Sequence, residues 1–254
     1  MLVLPCAGHQ WRVVDGKLMH VSLGQAGVWG VNSGNTIFYR QNTYRNVGSD
    51  GTGWLPVEGS LKQIAVGTTS VFGVNGYDQI FYRAGITSKQ PSGTTWVLLD
   101  GNLKHITVSP AGVVWGVNSA NQRGRRTRQS YRSFLAASRW RTEANFCRRI
   151  RCVGVNSNDD IFYREGTFGD NGVVGCSWTN IPGKLKYVTS GFGTVWGVNS
   201  QDQIFRRTGI TRTTPAGDDW VPVSGLLTMV EQYGGTIWGV NSQEDIFLSS
   251  RDKC

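Results

Sequence analysis

Short apolar runs separated by turn-forming residues extend along most of the chain. In one representative stretch, four predicted strands cover residues 54–57, 61–66, 70–74 and 79–83. Glycine, serine, asparagine and aspartate fill the gaps between them, as in Asn75-Gly76-Tyr77-Asp78. The 3.6-residue period of an amphipathic helix is absent. The pattern therefore predicts short β-strands joined by tight turns.

This four-strand pattern repeats. The tripeptide Gly-Val-Asn occurs six times, at spacings of 43, 43, 38, 43 and 42 residues. A tryptophan precedes five of the copies by 19 or 20 residues, and most copies continue as Ile-Phe-Tyr-Arg. Four strands in about 42 residues is the period of a propeller blade. The sequence therefore predicts an all-β fold, a six-bladed β-propeller that forms a single domain over residues 1–254.

The composition argues against an enzyme and against a membrane span. The 254 residues include 34 glycines and 10 tryptophans but only three histidines, and no apolar run approaches 18 residues. His20 and His105 share a repeat position that Gln63, Tyr187 and Met229 fill in other copies, as expected of a tolerant strand position. Nucleophile-elbow, phosphate-loop, zinc and dinucleotide motifs are all missing. We expect no catalysis, no metal site and no cofactor; a calcium requirement stays open, although the sequence does not indicate one.

The net charge of +9 comes from one segment. Residues 122–151 contain ten arginines and one acid, which leaves 16 basic and 16 acidic residues in the rest of the chain. This segment replaces strands that the fourth repeat needs. It is either a basic loop that binds acidic glycans, lipopolysaccharide or nucleic acid, or a frame-shifted or mis-spliced stretch, and the loss of the strands favours the second. Because the remaining chain is neutral, nucleic acid is not an expected partner.

Five cysteines suggest an oxidising compartment. Cys6 and Cys254 lie near opposite ends of the chain, which a closed propeller brings together, so we predict a disulfide between them that closes the ring. Cys147 and Cys152 are predicted to close a small loop at a strand junction, and Cys176 is left without an assigned partner. Disulfides indicate secretion. The alternative, free thiols buried in an intracellular protein, stays open.

A polar position three residues after each Gly-Val-Asn asparagine is the main candidate for binding. It is filled by Asn35, Asp78, Asn121, Asp159, Asp202 and Glu244. One interpretation is turn chemistry; the other is that these groups, with nearby arginines and tyrosines, bind sugar hydroxyls and a sugar ring face. The predicted sugar-binding residues are Asp78, Tyr82, Arg83, Asp159, Tyr163, Arg164, Asp202, Arg207 and Glu244.

Two further features of the repeat bear on function. The glycine-rich linkers at residues 85–96 and 209–220 resemble each other, and loops of this kind on a rigid scaffold often carry binding residues. The tryptophans at residues 54, 96, 178 and 220 occupy the same position in different copies of the repeat. We expect them to pack between blades rather than to stack on a ligand.

The repeat unit resembles a known family. Its segments Trp-x-x-Val-x-Gly-x-Leu-Lys-x-Ile and Val-Trp-Gly-Val-Asn-Ser-x-Asp-x-Ile-Phe-Tyr-Arg resemble the tectonin repeat, and the chain from Cys6 to Cys254, apart from residues 122–151, resembles fish-egg lectins. Cys147, Cys152 and Cys176 also look like cysteines of that family. The resemblance implies a secreted, six-bladed propeller lectin of eggs or plasma. Such lectins bind N-acetylglucosamine-type sugars and bacterial surface polysaccharide or lipopolysaccharide in innate defence.

Repetition of a weak sugar site would raise the avidity for a polymeric surface. The alternative function is an intracellular tectonin-type scaffold, in which the propeller faces hold protein partners. The sequence leaves the exact sugar, the number of sites and the oligomeric state undetermined.

Overall fold

The computed structural model describes residues 9–108, 114–118, 144–148, 151–169, 175–191 and 193–250, and within them it contains 22 strands and no helix. The strands are β1 (Arg12–Lys17), β2 (His20–Gly24), β3 (Gly27–Val31), β4 (Ile37–Arg40), β5 (Trp54–Val57), β6 (Gln63–Val66), β7 (Val71–Val74), β8 (Gln79–Ala84), β9 (Thr95–Asn102), β10 (His105–Val108), β11 (Val114–Val117), β12 (Ala144–Arg148), β13 (Arg151–Val155), β14 (Asp160–Arg164), β15 (Trp178–Lys184), β16 (Tyr187–Ser190), β17 (Val195–Val198), β18 (Gln203–Arg207), β19 (Trp220–Leu226), β20 (Met229–Tyr233), β21 (Thr236–Val240) and β22 (Asp245–Ser250).

The strands form five antiparallel four-stranded sheets, which we call blades and name by their first strand. Their strand orders are β2-β3-β4-β5, β6-β7-β8-β9, β12-β13-β14-β15, β16-β17-β18-β19 and β20-β21-β22-β1. β10 and β11 pair as a two-stranded sheet. The predicted all-β propeller is therefore confirmed. The predicted count of six blades is not supported, because the described residues form five four-stranded blades.

The first strands of the sheets surround a central channel. β2 contacts β6, β6 contacts β10, and the series continues through β12, β16 and β20 back to β2. The two strands β10 and β11 thus lie in the ring between blade β6 and blade β12. Rings from three different sheets meet in the channel, since Tyr187 lies 6.5 Å from His20 and 6.4 Å from His105 between ring centroids.

The sequence repeat and the blade are out of phase. β5 begins at Trp54, the start of the second sequence unit, yet it is the outer strand of blade β2. The first tryptophan strand, β1, has no earlier blade to join and completes the last one, with Val13 opposite Phe247 and Val14 opposite Ile246. Pairing between β1 and β22 closes the ring. The predicted closing disulfide is not supported, and Cys6 and Cys254 lie outside the described residues.

Packing explains why Gly-Val-Asn recurs. A Cβ atom on Gly73 would come within 2.3 Å of Leu61 Cδ1, so only glycine leaves room for the leucine of the Gly-x-Leu-Lys segment. Val74 is fully buried in the apolar cluster that includes Ile80 and Ile106. The asparagine shapes the turn that follows, as described below.

Trp54, Trp96 and Trp220, at the start of outer strands, each join two blades in an arrangement that we call the interblade clasp: a glycine, a tryptophan and an arginine. Gly59, which follows β5, has φ +104° and lies against the indole of Trp96, where a Cβ would meet Cδ1 at 3.2 Å. Trp96 Nε1 donates to the carbonyl of Glu58 at 2.8 Å. The guanidinium of Arg83 lies 5.2 Å from the centre of the same indole. These contacts fix blade β6 against blade β2.

The clasp recurs around the ring. Trp54 Nε1 donates to Asp15 O at 2.7 Å and Trp220 Nε1 to Pro182 O at 3.0 Å. Arg40 and Arg207 each lie 5.2 Å from the centre of the corresponding indole. The expectation that these tryptophans pack between blades is confirmed for Trp54, Trp96 and Trp220.

Trp178 departs from the pattern. It keeps its arginine, Arg164, at 5.5 Å from the ring centre. Its buried indole N–H has no hydrogen-bond partner among the described residues. The sheet that precedes it in the ring, β10–β11, contributes no outer strand within the described part of the chain. The N–H therefore lacks the carbonyl that every complete clasp provides.

The cysteines and the arginine-rich segment complete the comparison with the sequence. The β12–β13 register places Cys147 directly opposite Cys152, while Cys176 is an exposed free cysteine. Residues 122–151 lie almost entirely outside the described residues, so both interpretations of that segment stay predictions. In the described ranges no helix is long and apolar enough to cross a bilayer.

Candidate functional site at the mouth of the channel

In each blade the turn between the second and third strands, such as the β3–β4 turn, places one polar group at the same end of the channel. In blade β6, Asn75 Oδ1 accepts hydrogen bonds from the N–H groups of Tyr77 and Gln79, both at 3.0 Å. The corresponding asparagines of blades β12, β16 and β20 make the same pair of bonds. The asparagine of Gly-Val-Asn is thus a turn cap. The loops between the third and fourth strands of the blades, such as the β4–β5 loop, lie at the opposite end of the strands.

The polar position singled out from the sequence has one backbone conformation in all five blades. Its residues are left-handed, with φ between 62° and 64°: Asn35, Asp78, Asp159, Asp202 and Glu244. The carbonyl of each accepts a hydrogen bond from a leucine that leads into the next sheet, as Asp78 O does from Leu103 N at 2.8 Å. Turn chemistry therefore accounts for the main chain of this position. The side chains remain to be explained by what surrounds them.

In two blades the carboxylate at this position is neutralised by a lysine from the same blade. Asp78 forms an ion pair with Lys62, and Asp202 forms one with Lys186. Each lysine immediately precedes the first strand of its blade. Both pairs are about a quarter to a third exposed.

Blade β20 breaks this rule. Thr228 occupies the position that Lys62 and Lys186 fill in the other two blades. The backbone N–H of each of these residues donates to the carbonyl of the valine in the Gly-Val-Asn motif of its own blade, which is Val240 for Thr228, Val74 for Lys62 and Val198 for Lys186. Thr228 Oγ1 donates to Val240 O at 3.0 Å. Within the described residues, the carboxylate of Glu244 has neither an ion pair nor a hydrogen bond. In the described part of the chain, Glu244 is therefore the acid of this set whose carboxylate has neither a cation nor a hydrogen-bond donor beside it, whereas Asp159 accepts a hydrogen bond from Ser200.

A cavity of about 360 Å³ opens at this end of the channel. Its lining comes from four blades and includes Met19, Lys62, Tyr187, Met229, Ser242 and Glu244. Methionine and tyrosine side chains make much of the wall apolar, while a hydroxyl, a carboxylate and an ammonium group contribute its polar part. Because Asp78 pairs with Lys62, the charge left in the lining is that of Glu244.

The channel below this cavity contains buried polar groups. The hydroxyl of Tyr187 donates a hydrogen bond to Glu231 Oε1 at 2.9 Å, and the hydroxyl of Thr189 donates one to Glu231 Oε2 at 3.2 Å. His105 is half-buried as a residue, but both of its ring nitrogens are shielded from solvent. Desolvation, with smaller contributions from Lys104 and Lys62, lowers the pKa of His105 to about 4. His105 is therefore neutral at physiological pH.

Tyr77 is the most exposed of the large hydrophobic side chains in the described residues, at 84%. It stands at the tip of the blade β6 turn, immediately before Asp78 of the Lys62–Asp78 pair. The matching residues of the other blades are Gly34, Asn158, Gln201 and Gln243. Among the five described turns, this one alone combines an open aromatic ring with a charged pair. Our sequence-based selection of residues omitted Tyr77.

The predicted arginines lie at the far end of the strands from the predicted carboxylates. Arg83, Arg164 and Arg207 are all at most 6% exposed and lie over the tryptophans of the clasps. Arg83 Nε donates to Ser92 O at 2.8 Å and its guanidinium pairs with Glu58, whose pKa it lowers mainly through that hydrogen bond. Five residues of extended strand, about 16 Å, separate Arg83 from Asp78. The structure does not bring these two groups into one site.

The predicted tyrosines lie inside the blades. Tyr163 is 1% exposed and belongs to the apolar cluster of blade β12. Tyr82 is half-buried and packs against Phe72, with ring centroids 5.1 Å apart. Neither presents an open ring face in the way that Tyr77 does.

The four predicted acids are all at the channel end formed by the turns, but in different surroundings. Asp78 and Asp202 are paired with lysines, Asp159 accepts a hydrogen bond from Ser200 of the next blade, and Glu244 lines the cavity. Sugar binding by any of them stays a prediction. In the described ranges no three His, Cys, Asp or Glu side chains cluster as a metal site would require.

A model of the tectonin domain matches residues 4–102 and 92–253 of this chain. The chain belongs to the tectonin family. The arginine-rich segment, residues 122–151, lies within the second of these two matched ranges. The family resemblance noted from the sequence is thus confirmed.

Two curated relatives support this family membership. The tectonin is 42% identical to the fish-egg lectin of Cyprinus carpio over 74 residues, which are 29% of this chain and 31% of the relative. It is 28% identical to the perivitellin-2 31 kDa subunit of Pomacea maculata over 207 residues, 78% of this chain and 72% of the relative. The chain therefore spans less than a third of the fish-egg lectin and most of the perivitellin subunit.

Solved structures agree on the fold alone. The tectonin superposes on YCF48 bound to a D1 peptide with a TM-score of 0.50 at 14% identity, covering 99% of this chain and 80% of that one. The WD40 repeats of RRP9 give a TM-score of 0.52 at 7% identity and coverages of 98% and 100%.

Proposed function

We propose that this tectonin is a carbohydrate-binding lectin that recognises N-acetylglucosamine-type sugars on microbial surface glycans, including bacterial polysaccharide and lipopolysaccharide. The observation that carries the proposal is the set of five identically folded turns around one end of the channel, each with a polar side chain at the same position. The relationship to a fish-egg lectin supports the same class of ligand. A role in innate defence is part of the proposal.

Within this set, the best candidate for a sugar site is the turn of Tyr77, Asp78 and Lys62. The exposed tyrosine ring provides the flat surface on which the apolar face of a pyranose stacks. The neighbouring carboxylate and ammonium groups accept from and donate to its hydroxyls. The turns of Asp159, Asp202 and Glu244 offer polar groups without an aromatic ring and would bind more weakly. Several weak sites on one face would act together on a polymeric glycan.

The experiment is a titration of the folded protein with N-acetylglucosamine, followed by NMR or calorimetry. We expect Tyr77→Gln, which introduces the amide found at Gln201 in blade β16, to weaken binding about fivefold, since aromatic stacking contributes about 1 kcal/mol. Gln201→Ala at the matching turn is the control and should leave the affinity unchanged.

Two results would contradict this proposal. Equal affinity of Tyr77→Gln and the parent protein would show that the sugar binds elsewhere. A folded sample that binds no glycan at all would remove the lectin function and favour a scaffold for protein partners.

We also propose that the protein is secreted, with disulfides Cys147–Cys152 and Cys6–Cys254 and with a single propeller domain of six repeat units. The kinship with proteins named for fish eggs and for perivitelline fluid supports an extracellular location. The cross-strand register of Cys147 and Cys152 suits a bond between neighbouring strands. Mass analysis under non-reducing conditions should find two disulfides and one thiol, at Cys176; five thiols would argue against secretion.

A further inference from the structure

We propose that the cavity at the mouth of the channel, to which the Glu244 turn contributes part of the wall, is a second binding site beside the Tyr77 turn, and that it takes a compact hydroxylated ligand with a primary ammonium group, such as an amino sugar that is not acetylated. The proposal starts from a broken repeat. Where blades β6 and β16 pair an acid with a lysine, blade β20 has Glu244 beside Thr228. One negative charge is left facing the cavity.

The surroundings of Glu244 favour a cation. The ammonium group in the lining, that of Lys62, is already paired with Asp78, which lies outside the lining, so Glu244 is the charged group of the lining without an ionic partner among the described residues. Partial enclosure by the walls of the cavity strengthens the attraction between Glu244 and a bound ammonium group relative to open water. A neutral acetamido group at the same place would gain no such attraction.

The remaining lining fits more than a bare cation. About 360 Å³ accommodates a single sugar ring, and the wall contains apolar surface from Met19, Met229 and Tyr187. Ser242 adds a hydroxyl at the rim. A hexosamine offers the matching set: a ring face for the apolar side chains, hydroxyls for Ser242, and an ammonium group for Glu244.

The chain itself supplies the sharpest test, because Thr228→Lys restores the residue found at Lys62 and Lys186. The new lysine should pair with Glu244 as those lysines pair with Asp78 and Asp202. This change removes one hydroxyl from the lining, that of Thr228, which is already bonded to Val240 O, and it cancels the charge of Glu244. We expect glucosamine affinity, measured by calorimetry or NMR on the folded protein, to fall at least tenfold in both Thr228→Lys and Glu244→Gln.

The matched control is Glu165→Gln, the same glutamate-to-glutamine change in blade β12, at the opposite end of the strands and outside the cavity lining. It should leave glucosamine affinity unchanged, and circular dichroism should show that all three variants are folded. Methylammonium should bind the parent protein at least tenfold more weakly than glucosamine. Equal affinities for these two cations would overturn the assignment to an amino sugar.

Undiminished glucosamine binding by folded Glu244→Gln or Thr228→Lys would overturn the site itself. The inference is independent of the sugar site proposed at Tyr77. N-acetylglucosamine binding at the Tyr77 turn should be unaffected by Glu244→Gln, and glucosamine binding in the cavity should be unaffected by Tyr77→Gln. Failure of either proposal is therefore recognisable without the other.

Discussion

The interblade clasps and the mouth of the channel are built by the same repeat but differ in how strictly they repeat. Every complete clasp has the same three residue types, with the indole N–H bonded to a carbonyl of the preceding blade. At the mouth, the left-handed position varies between amide, aspartate and glutamate, and its neighbour varies between lysine, methionine and threonine. The invariant part joins blades and is built from buried arginines and half-buried tryptophans. The variable part faces a cavity, where a change of one residue alters a binding surface at little cost in stability.

The largest expected effect is a pH dependence of the free energy of unfolding that arises from His105 in the channel wall. His105 has its pKa lowered to about 4 by desolvation, so the unfolded chain binds a proton near pH 6.5 and the folded chain does not. The stability from keeping this imidazole neutral is present above pH 6.5 and is lost as the pH falls towards 4. The shift corresponds to about 3 kcal/mol at most.

Urea unfolding at pH 7 and at pH 4.5 measures this effect. His105→Gln introduces the residue that blade β6 has at the same place, Gln63, and should lose less stability between the two pH values than the parent protein. The lowered pKa values of Asp15 and Glu58, caused mainly by hydrogen bonds from Arg40 and Arg83, add a loss only at lower pH, below about 4. Equal losses in both proteins would show that His105 does not titrate as described.

A smaller difference in unfolding free energy is expected between a substitution in a complete interblade clasp and the same substitution at Trp178, where the clasp is incomplete. Trp96→Phe removes an N–H that donates to Glu58 O, and it should cost about 1 kcal/mol more than Trp178→Phe. The indole N–H of Trp178 is buried without a partner in the described part of the chain, so its removal relieves a desolvation penalty.

The comparison needs only the unfolding free energies of the two variants and the parent, taken in the same denaturant series. Both changes replace an indole by a smaller ring beneath an arginine, which makes the lost packing similar. If Trp178→Phe destabilised the protein as much as Trp96→Phe, the β10–β11 side of the ring would have to supply the missing carbonyl.

The sequence by itself determined the strands, the turns and the family. The strands predicted at residues 54–57 and 79–83 match β5 and β8 within one residue, because alternating apolar residues and asparagine-capped turns are local signals. The packing role of the tryptophans also followed from their constant phase. The motif Gly-Val-Asn was visible, although its reason, the contact of Gly73 with Leu61, was not.

Only the tertiary structure decided which strands share a blade and which side chains face a ligand. The outer strand from Trp54 joins the preceding blade, and β1 therefore closes the ring by pairing with β22. Arg83 and Asp78 are five residues apart in sequence, but the extended strand sends one into a clasp and the other to the channel mouth. The uncompensated charge of Glu244 depends on Thr228, a residue 16 positions away, because strand pairing sets such neighbours and sequence spacing does not.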